Sequence, residues 1–221
     1  MDAAVKAALV ASRGTGIVSL VGLDLPVIPG RVRAHLPRRL TVLSLAHNPR
    51  LEVLAEDDPV LRALEVADNR LCALPNVFAA FPYLEALTAA GNALTELPQS
   101  LATCGRLVTV DLSRNALGPA LPAVLCDLPS VVTLRVAANG LTSLPEALVG
   151  AAALEVLDVA DNDLPAVPPV LLRCCPRLVS VDVAGNPAAE RIHLSEGWEW
   201  LAERAAAVAQ RTALYRLEGG D

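Results

Sequence analysis

Apolar residues recur along this chain in a fixed short pattern rather than in long runs. Seven segments share it: LTVLSLAHN, LRALEVADN, LEALTAAGN, LVTVDLSRN, VVTLRVAAN, LEVLDVADN and LVSVDVAGN. Each ends on an asparagine, and Asn48, Asn69, Asn92, Asn115, Asn139, Asn162 and Asn186 are spaced 21, 23, 23, 24, 23 and 24 residues apart. Within each segment the apolar positions alternate, which predicts a short strand with two side chains pointing inward. A unit of one strand and one return cannot bury its apolar side alone. The register therefore predicts a stack of coils with parallel strands. The asparagine follows the strand, where its amide satisfies backbone groups that leave the sheet. Five units continue to Leu74-Pro75, Leu97-Pro98, Leu121-Pro122, Leu144-Pro145 or Val167-Pro168. Proline suits the start of a return segment, where no ladder donor is needed.

A degenerate copy precedes these. IVSLVGLDLPVIP puts Val18 and Leu20 at the strand positions, Leu23 in the asparagine slot, and Leu25 and Ile28-Pro29 after it. A first coil tolerates that loss, because no earlier coil needs the amide. About eight coils therefore span residues 15–187. The second, Leu40–Val60, lacks the Leu-Pro and carries an acidic bump at Glu56, Asp57 and Asp58, while the fifth, Leu107–Ser130, inserts one residue. Open ends of such a stack need covers. Residues 2–12 predict a short helix, and residues 195–216 a longer one with Leu201, Ala205, Val208 and Leu214 on a common stripe. At least one of Trp198 and Trp200 is expected to plug the last coil. Of Phe78, Phe81 and Tyr83, at least one is expected in the core.

The unit L-x-x-L-x-L-x-x-N resembles the leucine-rich repeat, and the chain resembles small intracellular proteins built almost wholly from 23-residue repeats. AALVASRGTGIVSL is similar to the helix-then-strand opening of that family, and LLRCCPRLVSVDVAGNP with EGWEWLAERA to its closing coil and terminal helix. The resemblance implies an α/β solenoid: a curved parallel sheet on the concave side, an irregular convex side, and capping helices. The domain reading is a cap over 1–14, repeats over 15–187 and a cap with tail over 188–221. It also implies adaptor or scaffold roles, with small GTPases or phosphatase catalytic subunits among the partners of related chains. Architecture does not name a partner.

Composition narrows the picture. The 221 residues are 53% hydrophobic but only 3% aromatic, with a mean hydropathy of +0.45. No apolar run approaches the ~20 residues of a membrane-spanning helix. A net charge of −6 argues against nucleic acid and against charge-driven docking on anionic membrane. The N-terminus MDAAVKAALVASRG has no long apolar core of a signal peptide, and Asp2 excludes N-myristoylation. The odd set Cys72, Cys104, Cys126, Cys174 and Cys175 has neither a disulfide-scaffold nor a zinc spacing. Free thiols point to a reducing compartment, the cytoplasm, with a cilium or large assembly left open.

The candidate binding surface is the outward side of the strands. Its first file reads Ser19, Ser44, Glu65, Thr88, Asp111, Arg135, Asp158 and Asp182. The next is small: Val21, Ala46, Ala67, Ala90, Ser113, Ala137, Ala160 and Ala184. A third reads Gly22, His47, Asp68, Gly91, Arg114, Ala138, Asp161 and Gly185. Glu65, Asp68, Asp111, Asp158, Asp161 and Asp182 make this face acidic around Arg114 and Arg135, a pattern that selects a basic segment of a protein partner. Arg135 is expected to pair with Asp111 or Asp158 on the neighbouring strands, and Asp158 to repel Asp182. The same positions also fit a plain solvated face.

Catalysis is not expected. His35, His47 and His193 are scattered, and no phosphate loop or metalloprotease motif occurs. No cofactor is called for. The leading expectation is a monomeric, non-catalytic adaptor. The alternative is a structural subunit of a ciliary or organellar assembly, docked by its ends or convex side.

Overall fold

The computed structural model describes residues 3–12, 17–23, 41–48, 61–190 and 197–217, with side chains left out at positions 3, 4, 6, 9, 12 and 210–217. Leu25, Ile28-Pro29, His35, Leu40, the acidic bump at Glu56–Asp58, His193 and the Leu214 side chain lie outside the described set.

Eight three-residue strands form one sheet in chain order: β1 Ile17–Ser19, β2 Val42–Ser44, β3 Ala63–Glu65, β4 Ala86–Thr88, β5 Thr109–Asp111, β6 Thr133–Arg135, β7 Val156–Asp158 and β8 Ser180–Asp182. Every neighbouring pair is parallel, and residues at equivalent repeat positions face each other, as Val110 does Leu134 and Leu157 does Val181. The strands are short because each coil spends only one apolar–polar alternation on the sheet. Return segments are 3-10 turns, Phe78–Ala80, Gln99–Thr103, Ala123–Asp127 and Glu146–Gly150, and then one short helix, α2, Pro169–Cys174. The helix α1 covers Ala3–Ser12 and α3 covers Trp198–Leu217. Both expected end helices are thus present, within a few residues of the bounds read from sequence.

The core is a file of Leu and Val from every coil, with Leu20, Leu45, Val66, Leu112, Val136 and Val159 all fully buried. Phe78 and Phe81 join it edge to face, with ring centroids 6.0 Å apart, whereas Tyr83 stays exposed under the Arg106 guanidinium at 4.8 Å. Trp198 packs partly buried against the core, and Trp200 is exposed.

The asparagines work as a ladder that reaches backwards. Asn139 Nδ2 donates to Val136 and Ala137 of its own coil and to the Leu112 carbonyl of the preceding one, at 3.0–3.1 Å. Its Oδ1 accepts the Leu117 N–H at 3.3 Å. Asn48 does the same for the first coil, donating to the Leu20 carbonyl and accepting from the Leu23 N–H. Leu23 in the first asparagine slot therefore leaves no preceding coil unserved. Among the described residues no buried side-chain nitrogen or oxygen lacks a partner.

To aim the asparagine inward, the residue before it turns left-handed. His47, Asp68, Arg114, Ala138 and Asp161 have φ of 51–56°, and Gly22, Gly91 and Gly185 have φ of 67–71°. This conformation costs an L-residue about 1–2 kcal/mol, and aspartate tolerates it better than alanine. Ala138 has neither advantage. Ala138→Gly is expected to raise stability by about 0.5–1 kcal/mol, a gain in Tm of about 1–4 °C by calorimetry.

Candidate functional site

The strands hold their outward side chains in register, so the expected files are real rows on the sheet. Glu65 faces Thr88, Thr88 faces Asp111, Asp111 faces Arg135, Arg135 faces Asp158, and Asp158 faces Asp182. Glu65, Arg135 and Asp182 are exposed, whereas Asp111 and Asp158 are half-buried. Ser44, read as outward, is buried at 7% exposure, and so is Ala90 at 7%. Short side chains here are covered by their neighbours.

The charges pair differently from the sequence expectation. Among the described residues, Arg135 forms no ion pair with Asp111 or Asp158. The reason is local. Asp111 Oδ1 accepts the Ser113 N–H at 3.0 Å, Asp158 Oδ1 that of Ala160 at 3.1 Å, and Asp182 Oδ1 that of Ala184 at 3.0 Å. Each carboxylate is held by its own turn, the usual competition of aspartate for backbone two residues on. Arg135 is left facing solvent between two fixed carboxylates.

Arg114, by contrast, is paired. Its Nη2 donates to Asp68 Oδ1 at 2.9 Å, across an intervening coil. The coil between them carries Gly91, where an added Cβ would stand 2.2 Å from Asp68 Oδ1 and 3.2 Å from Arg114 Nη2. The glycine thus serves two needs, a left-handed φ and a gap for the ion pair. His47 Nδ1 lies 3.7 Å from Asp68 Oδ2, an ion pair when the imidazole is protonated. Asp161 leans over Gly185 in the same way, with Oδ1 2.2 Å from where a Cβ would be. Outside these files, Arg62 pairs with Glu85 on the approach to the sheet.

The described residues hold no group of three or more His, Cys, Asp or Glu placed to bind a metal ion. A shallow groove of about 510 Å³ lies between α3 and the approach to β8, lined by Val179, Arg177, Glu155, Arg204 and Val208. Arg204 is engaged there by the chain itself, donating to the carbonyls of Leu172 and Cys175 beside the C-terminal end of α2, where a cation is favoured. Burial pushes the Cys104 thiol up to about 11. It also raises Cys126, with Asp127 adding to the rise, and Cys175, where Arg204 opposes it.

Two consequences follow for the thiols. Cys72 and Cys174 are exposed while Cys104, Cys126 and Cys175 are buried. Thiol titration at about pH 8 is expected to count two reactive groups in the folded protein, against five after unfolding. A thiol whose folded pKa lies above its unfolded value stabilises fully below the ordinary thiol range of about 8.5. That contribution fades as pH climbs toward 11, because the unfolded Cys104 ionises first. Stability is therefore expected to drop above about pH 9, and less so in Cys104→Ala when the two are compared at equal starting stability.

Solved structures with the same architecture settle what the stack is. A leucine-rich-repeat protein of Leptospira interrogans superposes with a TM-score of 0.61 at 20% identity, over 82% of this chain and 57% of that one. The chain has the leucine-rich-repeat fold. YopM of Yersinia enterocolitica matches this solenoid at 30% identity and a TM-score of 0.61, over 82% of this chain and 36% of its own. TLR13 in complex with ssRNA13 matches at 23% identity and a TM-score of 0.62, over 70% of this chain and 23% of its own. The repeat protein spans just over half the length of the Leptospira chain and much less of the others. No model of a known family and no curated protein matches the sequence. No helix among the described residues is long and apolar enough to cross a membrane.

Of the residues singled out from sequence, Glu65, Asp111, Arg135, Asp158 and Asp182 share one strand file of this solenoid, and Asp68, Arg114 and Asp161 the left-handed file beside it. The roles of Gly91 and Gly185 were missed. Their signal was present, since each sits one residue before a ladder asparagine where neighbouring coils carry a charged side chain.

Proposed function

We propose that this leucine-rich-repeat protein is a non-catalytic adaptor or scaffold that receives a basic segment of a partner protein on its strand face. The observation that carries this is the charge arrangement. Six carboxylates, Glu65, Asp68, Asp111, Asp158, Asp161 and Asp182, line the face against two guanidinium groups, and Arg114 is already bound to Asp68. The alanine file behind them offers a smooth floor. An exposed ion pair contributes only about 0–1 kcal/mol, so the pattern favours selectivity and encounter rate over raw affinity. TLR13 is seen with a single-stranded RNA, but a chain of net charge −6 does not offer the basic surface such a partner needs.

Within this reading the caps are residues 1–14 and 188–221 around repeats 15–187, and the protein works as a monomer in a reducing, cytoplasmic setting. The five free thiols support that compartment. A signalling partner, related to a GTPase or a phosphatase, is the finer form of the proposal. A second reading, a subunit docked into a large assembly by its ends or convex side, is favoured by Trp200 and Tyr83. Both are exposed away from the strand face, at 61% and 41%.

Affinity capture from native lysate separates the two. Wild type is compared with Glu65→Lys/Asp158→Lys, after matched melting curves. A partner lost by the variant and released by moderate salt is expected for the adaptor. Capture of one identical particle by both proteins would transfer the case to the structural subunit.

A further inference from the structure

The two ends of the sheet are closed differently. At the first coil α1 packs directly on β1, but at the last coil α3 packs on α2 and makes no comparable contact with β8. The central residue of each strand from β1 to β7 is buried at 0–6% exposure. Val181, its counterpart in β8, is only half-buried, and Ser180 and Asp182 on either side are exposed. A second, independent sign lies in the backbone. In each coil, two N–H groups leaving the strand are taken by carbonyls of the next coil, as Val159 donates to Asp182 at 2.9 Å and Asp161 to Ala184 at 2.7 Å. The equivalents in the last coil, Val183 and Gly185, have no acceptor among the described residues. Unpaired donors at an exposed strand edge are a template for another strand.

We propose that the free edge of β8 is a docking site for an extended segment of a partner protein, which adds as a ninth parallel strand by β-augmentation. The register states what fits. The segment residue beside Asp182 offers its carbonyl to the Val183 N–H, and the residue two further on offers its carbonyl to Gly185. Apolar residues belong beside Val181 and Val183, which face the core. Beside Asp182 a Lys or Arg is favoured. Asp158 and Asp182 stand next to each other in register, with no ion pair to either among the described residues, and a cation about 4.8 Å further along the sheet offsets their repulsion. This pattern, polar–apolar–basic–apolar–small, excludes the simplest self-assembly. A second copy's β1 lies under α1 and offers Ser19 rather than a cation, and a second copy's β8 brings another Asp182 to the seam. The site is distinct from the strand-face reading above, since it uses backbone donors at one end of the solenoid.

The test uses two terminally capped peptides, Thr-Val-Lys-Val-Ala and Thr-Val-Glu-Val-Ala, with amide exchange read by NMR on the full chain. The lysine peptide is expected to slow exchange at Val183 and Gly185 and to bind about three- to fivefold tighter than the glutamate peptide, as one exposed charge pair allows. Asp182→Lys, a surface change, is expected to reverse that order. Unchanged exchange at both amides under a saturating peptide would overturn the proposal, as would equal binding of the two peptides. Protection of the two amides that rises with protein concentration alone would overturn it in favour of a second copy.

Discussion

Asn162→Ala is expected to destabilise the folded chain by about 3–5 kcal/mol, lowering Tm by roughly 6–20 °C, as read by calorimetry. The Asn162 side-chain amide makes five hydrogen bonds. Nδ2 donates to Val136 across the coil boundary at 3.0 Å and to Val159 and Ala160 at 2.8 and 3.0 Å. Oδ1 accepts two N–H groups of the preceding coil, from Asn139 at 2.9 Å and Leu141 at 3.0 Å. Alanine leaves all these backbone groups in a site that is 4% exposed, where each unsatisfied polar group costs about 1–3 kcal/mol. Asn115 is the internal control. It is half-buried and its Oδ1 accepts one N–H, from Leu94, so Asn115→Ala is expected to cost about 1–3 kcal/mol. Equal losses at the two positions would mean that the second N–H taken by Asn162 Oδ1 and its deeper burial contribute nothing, since Asn115 also bonds across the coil boundary.

The second large effect lies on the convex side. Phe78→Ala is expected to cost about 3–5 kcal/mol, a large share of a typical total stability. The ring is 1% exposed, packs edge to face on Phe81, and sits in a chain that has only two phenylalanines to fill such space. The neighbouring coil shares the damage, because its Cys104 thiol lies against the Phe78 carbonyl at 3.6 Å and its Ser100 hydroxyl accepts the Phe78 N–H. In a repeat stack each coil is stabilised by its neighbours. Tyr83→Ala provides the contrast. That ring is 41% exposed and held by one arginine, and its loss is expected to cost under about 1 kcal/mol.

Much of this was legible from the sequence, for a physical reason. A repeat states the same local rule many times, so the strand positions, the inward Leu and Val, the asparagine ladder and both end helices could be read from spacing alone. Phe78, Phe81 and Tyr83 could not be sorted in advance, because they share one return and only the packing separates them. The site was legible as a set of rows but not as a set of bonds. The Asp68–Arg114 pair joins residues 46 apart in sequence, over a coil whose contribution is the absence of a side chain. The aspartates at 111, 158 and 182 looked free to pair with Arg135, yet each is followed two residues later by a small residue whose N–H it captures. That local competition was visible in Asp-Leu-Ser and Asp-Val-Ala and was outweighed by the charge pattern. The open edge of β8 depends on where α3 docks, which no local pattern encodes.

The central claim is that the strand face receives the partner, and site-specific photo-crosslinking tests it most directly. A crosslinking amino acid is placed at Thr88, in the middle of the outward file, or at Ala79, exposed on the 3-10 turn of the opposite side. Each variant is irradiated in the captured complex. Crosslinks to the partner from position 88 and none from position 79, abolished by Glu65→Lys/Asp158→Lys, are the expected result. Crosslinks from position 79 with none from position 88 would contradict the account and move recognition to the convex side.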